Sequence, residues 1–68
     1  MRLYGIFNLN DNCKLLRYSQ VEQGTSTYKV FDYITKTFKE VTELCLPNIE
    51  YSEEHIGKNY NQSTDSFE

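Results

Sequence analysis

Residues 26–46 read STYKVFDYITKTFKEVTELCL, and the fold turns on whether this stretch is one helix or two strands. Val30, Ile34, Phe38, Val41 and Cys45 recur at spacings of 4, 4, 3 and 4, which is one face of a helix. Ser26 stands where an N-cap belongs. Against the helix, 11 of the 19 residues from 26 to 44 are Thr, Val, Ile, Phe or Tyr. Such side chains lose χ1 freedom in a helix and pack well on a pleated surface. Ala, the best helix former, occurs nowhere in the chain. We therefore read two strands, Tyr28–Tyr33 and Phe38–Leu44, broken at Thr35-Lys36-Thr37. The second runs on at most to Leu46, because Pro47 cannot donate to a sheet ladder.

Working outward, Arg2–Phe7 is an aromatic-rich strand candidate. Asn8–Asn12 is a turn cluster, since Asn and Asp bond their own backbone and tolerate left-handed geometry. Lys14–Val21 is the next strand candidate, and Glu22–Ser26, with Gly24, the next loop. The fold expected is mostly β: a small four-stranded antiparallel meander or half-closed barrel with a flexible acidic C-terminal tail. The alternative is a β-hairpin plus one helix at 26–46.

Composition divides the chain at Pro47. Residues 1–46 hold 21 of the 26 hydrophobic residues and sum to a charge of +1; residues 47–68 hold five and sum to −4. The expected organisation is a small β domain over 1–46 and an acidic, partly disordered segment over 47–68, because Lys58–Glu68 holds too little apolar surface to offset ordering. A chain of 68 residues draws only about 3–5 kcal/mol from a single core, so association with another subunit is an expected source of stability.

Little in the sequence supports catalysis. His55 is the only histidine, and no orienting group accompanies it with Cys13 or Cys45; it is expected to be exposed on a short helical turn beside Glu53 and Glu54. The two cysteines lie 32 residues apart, unlike the close pairs of structural zinc sites. Gly5, Gly24 and Gly57 form no phosphate loop. No enzyme activity, metal or cofactor is expected. Met1–Asn10 is too short and polar a run for a signal peptide or membrane span, so the expectation is a cytoplasmic protein with free, partly buried cysteines and no membrane association.

Binding is the remaining reading. Six tyrosines and four phenylalanines are too many for one face of a small sheet, and rings left on the outer face need a cover. The expected function is association with a partner protein or as a homodimer through an exposed Tyr/Phe face, with Tyr18, Tyr28, Phe31 and Tyr33 as partner-binding residues. The alternative is a small β-barrel that binds single-stranded nucleic acid. In it Arg2, Lys14, Arg17, Lys29, Lys36 and Lys39 would meet phosphates while the aromatic rings stack on bases. Its weakness is the +1 charge of residues 1–46, which allows few phosphate contacts. A third reading makes the acidic segment a phosphate mimic, in the manner of phage or mobile-element inhibitors, a source with which the Asn-, Lys-, Tyr- and Ile-rich composition is compatible.

Overall fold

The computed structural model describes residues Met1–Glu68. It is mostly β, with strands over 56% of the chain and no α-helix. Four strands, β1 (Arg2–Asn8), β2 (Lys14–Ser19), β3 (Thr27–Asp32) and β4 (Thr37–Glu50), form an antiparallel sheet. A short hairpin, β5 (Tyr60–Asn61) and β6 (Ser66–Phe67), follows. The spatial order is β2-β1-β4-β3. Two sequence-local hairpins, β1–β2 and β3–β4, are therefore joined through β1–β4, and the sheet curls into a half-barrel. A plain meander would instead set β3 beside β2.

Residues 26–46 are strands, not a helix. The 4-4-3-4 spacing is broken by the turn, which puts Tyr33, Ile34, Thr35 and Lys36 outside both strands. Asp32 makes that turn: its Oδ1 accepts the N–H groups of Ile34 (2.9 Å) and Thr35 (3.4 Å). The Asn8–Asn12 cluster also closes as read. Asn8 Oδ1 accepts the Asn10 N–H at 3.0 Å, capping a single 3₁₀ turn over Leu9–Asp11, and Asn12 takes left-handed geometry at φ 52°.

Two bulges produce the curl. In β2 the pairing steps from Ile6↔Arg17 to Phe7↔Leu15, leaving Leu16 extra. In β4 it steps from Gly5↔Leu46 to Leu3↔Ile49. This second bulge corrects the expected end of β4 before Pro47. Pro47 and Asn48 sit in the bulge, where no ladder donor is required, and Asn48 supplies the left-handed residue at φ 61°. The strand continues to Glu50.

While Ile6 and Val41 are buried on one face of the sheet, the main core cluster lies on the other. Phe7, Leu15 and Ile49 are buried there, and Cys13, Tyr18, Leu46, Tyr60 and Phe67 pack around them. Gly5 makes room: a Cβ on it would stand 2.8 Å from Phe7 Cε2 and 3.1 Å from Ile49 Cγ1. The packing thus crosses the compositional boundary at Pro47. Phe7 stacks on Tyr60 with centroids 5.0 Å apart and on Phe67 at 6.4 Å. The ring of His55, half-buried rather than exposed, stacks on Phe67 at 4.2 Å. Main-chain bonds from Leu15 N to Lys58 O (2.9 Å) and from Tyr60 N to Cys13 O (3.0 Å) tie the C-terminal segment to the first half of β2. Both cysteines are free and half-buried, and burial raises the pKa of the Cys13 thiol. No helix is long and apolar enough to cross a membrane.

Candidate functional site

The outer end of the β3–β4 hairpin packs against nothing. Every residue from Thr27 to Phe31 is exposed, and so is every residue from Tyr33 to Glu40. The hairpin gives the molecule its length, 38 × 25 × 21 Å, and a radius of gyration of 12.3 Å, against about 11 Å for a compact chain of this size.

Phe31 and Phe38 are directly opposed in the ladder. Their rings meet edge to face at 5.2 Å, and Tyr33 meets Phe31 the same way at 4.9 Å. The quadrupoles of aromatic rings favour this arrangement. The cluster remains wet: Phe31 is 39% exposed, Phe38 68%, Tyr33 81% and the adjoining Ile34 93%. Lys29 shares this face, and Glu40 stands opposite it. On the other face of the ribbon, Val30 and Val41 line an open groove of about 490 Å³, whose far wall includes Leu16 and Lys14.

The base of the hairpin is held firmly. Glu43, buried in β4, accepts the Tyr28 hydroxyl at 2.8 Å and both terminal nitrogens of Arg17 at 3.1 and 3.3 Å. One carboxylate thus links the edge strands β2 and β3 to β4. The Arg17 hydrogen bond, helped by that of Tyr28, holds the Glu43 carboxyl below its usual range; the same contacts raise the pKa of Arg17 and of Tyr28. The Asn10 amide adds a second anchor, donating to Glu40 O (3.1 Å) and Thr42 Oγ1 (3.0 Å).

Of the four residues read as partner-binding, the structure brings Phe31 and Tyr33 together and places Tyr28 on the opposite face of the same strand. Tyr18 stands apart. It packs against the core, donates its hydroxyl to Glu50 O (2.9 Å), accepts the Ser52 N–H (3.2 Å) and lies 4.9 Å from the Tyr51 ring. Phe38, not among those four, joins the exposed ring cluster. The signal was present in the alternation: once Asp32 closes the turn, Phe38 must fall opposite Phe31.

The other titratable groups are dispersed. No three His, Cys, Asp or Glu side chains converge as metal ligands. Two of the C-terminal acids, Glu50 and Asp65, are engaged by the N-terminus of the chain. Glu50 meets the N-terminal amine at 3.1 Å and Arg2 at 3.6 Å. Asp65 meets Arg2 at 3.4 Å and accepts the Tyr60 hydroxyl at 2.7 Å. Burial, followed by this bond to Asp65, pushes Tyr60 up to about 12. Compared with known protein families, with curated proteins and with solved structures, the chain matches none.

Proposed function

We propose that this is a non-enzymatic binding protein that associates with itself or with a partner protein through the Tyr/Phe face of the β3–β4 hairpin. Phe31, Tyr33 and Phe38 are the contact residues, with Tyr28 behind them. The observation that carries the reading is the exposed ring cluster at the far end of an anchored hairpin. A cross-strand aromatic pair stabilises its own hairpin by about 0.2–1 kcal/mol. That accounts for Phe31 with Phe38. It does not account for Ile34, whose side chain stays 93% exposed at the turn. Tyr and Phe are the ring types enriched in interface cores.

The test is binding by a Tyr33→Ser, Phe38→Ser variant. Both side chains are exposed and meet no aromatic ring but Phe31, so the variant keeps its β circular dichroism and loses about 1 kcal/mol of stability. Partner capture or self-association should fall at least tenfold. Unchanged association in the folded variant would refute the reading.

Single-stranded nucleic acid is the second reading, favoured by Lys29 on the face of the rings and Lys36 in the adjoining turn, with Lys39 on the opposite face of the same hairpin. Asp32 and Glu40 leave residues 27–42 at only +1. A gel shift at low salt that weakens steeply with added salt would support it.

A further inference from the structure

β3 is an edge strand, and its outer side is unpaired. The bond from Glu43 N to Ser26 O (3.1 Å) fixes the phase of the β3–β4 ladder. Ser26, Tyr28, Val30 and Asp32 turn their main-chain groups toward β4. Thr27, Lys29 and Phe31 turn their N–H and C=O groups away from it. No loop or side chain takes these groups up. The contrast with β2 is informative: the C-terminal segment covers the start of that strand's outer edge, bonding Leu15 through Lys58 and Gly57 and the preceding Cys13 through Tyr60. One side of the sheet is partly closed by the chain itself and the other is left open.

We propose that the occupant of the open edge is β3 of a second copy, paired antiparallel about a twofold axis at Val30. This rests on the hairpin reading above and names its partner. Charge and side-chain complementarity choose both the copy and the register. An axis at Lys29 would set Lys29 against its own symmetry mate, and like charges directly opposed are unfavourable. An axis at Phe31 would lay Asp32 against Val30 and run Lys29 into the turn. With the axis at Val30, Lys29 stands opposite the partner copy's Phe31, where ammonium over ring is attractive. Tyr28 stands opposite Asp32, Thr27 opposite Tyr33, and Val30 opposite itself. No like charges stand directly opposite each other, the two Lys29 side chains being only diagonal neighbours, and the strand is complementary to its own reverse, a property an isologous contact requires and a foreign strand does not. Each Lys29–Phe31 pairing exchanges both main-chain bonds, using the donors and acceptors left free in the monomer. The two Phe31 rings become diagonal neighbours, within reach of each other across the axis. The two aromatic clusters then form one continuous patch, and the two sheets one sheet.

The test uses the full chain in sedimentation and in mild oxidation. The wild type should dimerise with rising concentration. Lys29→Pro, and separately N-methylation of the Phe31 amide by chemical synthesis, each remove a donor that the monomer leaves unbonded. Both should retain β circular dichroism and weaken the dimer at least about tenfold. In a Cys13→Ser, Cys45→Ser background, Val30→Cys should oxidise to a covalent dimer, because non-hydrogen-bonded opposed residues bring their side chains closest. Lys29→Cys in the same background should cross-link poorly. A wild type still monomeric at about 500 µM, where even weak association shows, overturns the proposal. So does a dimer indifferent to N-methylation of Phe31. In either case, loss of partner capture or of dimer with Tyr33→Ser, Phe38→Ser leaves the hairpin reading standing without the paired edge. Retention of binding in that variant removes the hairpin reading as well.

Discussion

Gly5 has no room for a side chain. A methyl group there would press on the Phe7 ring, which is fully buried and stacked on Tyr60, and on Ile49. Overpacking of this kind costs about 1–3 kcal/mol. Gly5→Ala should lower the urea midpoint accordingly, whereas Gly24→Ala, with nothing near it, should not. Glu43 makes a different prediction, one that depends on pH. Its folded pKa lies below the ordinary 4.5, so the stabilisation from its ionised form is complete above that value and is lost as pH falls through the lower folded one. Glu43→Gln should therefore be less stable than wild type at pH 7, by about 1–2 kcal/mol, and the gap should narrow as the medium is acidified below the ordinary 4.5. A gap that stayed constant would assign the effect to shape rather than charge.

At the scale of elements, the C-terminal segment decides how large the folded unit is. Phe67 packs on Phe7, Tyr60 and His55, and the main chain of residues 57–60 closes part of β2. Phe67→Ala should cost about 2 kcal/mol, and ending the chain after Gly57 should cost more, both read by thermal melting. If the segment is instead the solvated tail its composition suggests, neither change will move the midpoint. These elements also show what was legible. The strands of the β3–β4 hairpin were readable because β-branched and aromatic residues fill it and the chain lacks Ala. The turn at Asn8–Asn12 was readable because Asn and Asp carry their own turn chemistry. Pro47 misled, since a strand tolerates proline at a bulge and bulges leave no pattern in a single sequence. The packing of Tyr18 against the core was not legible for a related reason: alternation says which faces exist, but not that the core face would be capped from residues 60 and 67. Tyr60 and Phe67 were too sparse among Asn, Gln, Ser and Thr to register as core.

The whole molecule is poor in core. Ile6, Phe7, Leu15, Val41 and Ile49 are its buried hydrophobic residues, enough for a stability of only about 3–5 kcal/mol in a domain this small. Any association therefore contributes visibly to stability. The melting temperature should rise with protein concentration if the edge-paired dimer forms, and should be unaffected by a reductant, because neither cysteine is bonded. The strand order has a consequence in time as well as in space. The β1–β2 and β3–β4 hairpins are local and can each close within about 1–10 µs. They are joined by pairs such as Asn8↔Glu43 and Arg2↔Glu50, whose closure must first bring distant parts of the chain together. Docking of the two preformed hairpins is then the slow step of folding. Conservative truncations at the seam, such as Ile6→Val, should slow refolding, while those at the outer end of the β3–β4 hairpin should mainly quicken unfolding.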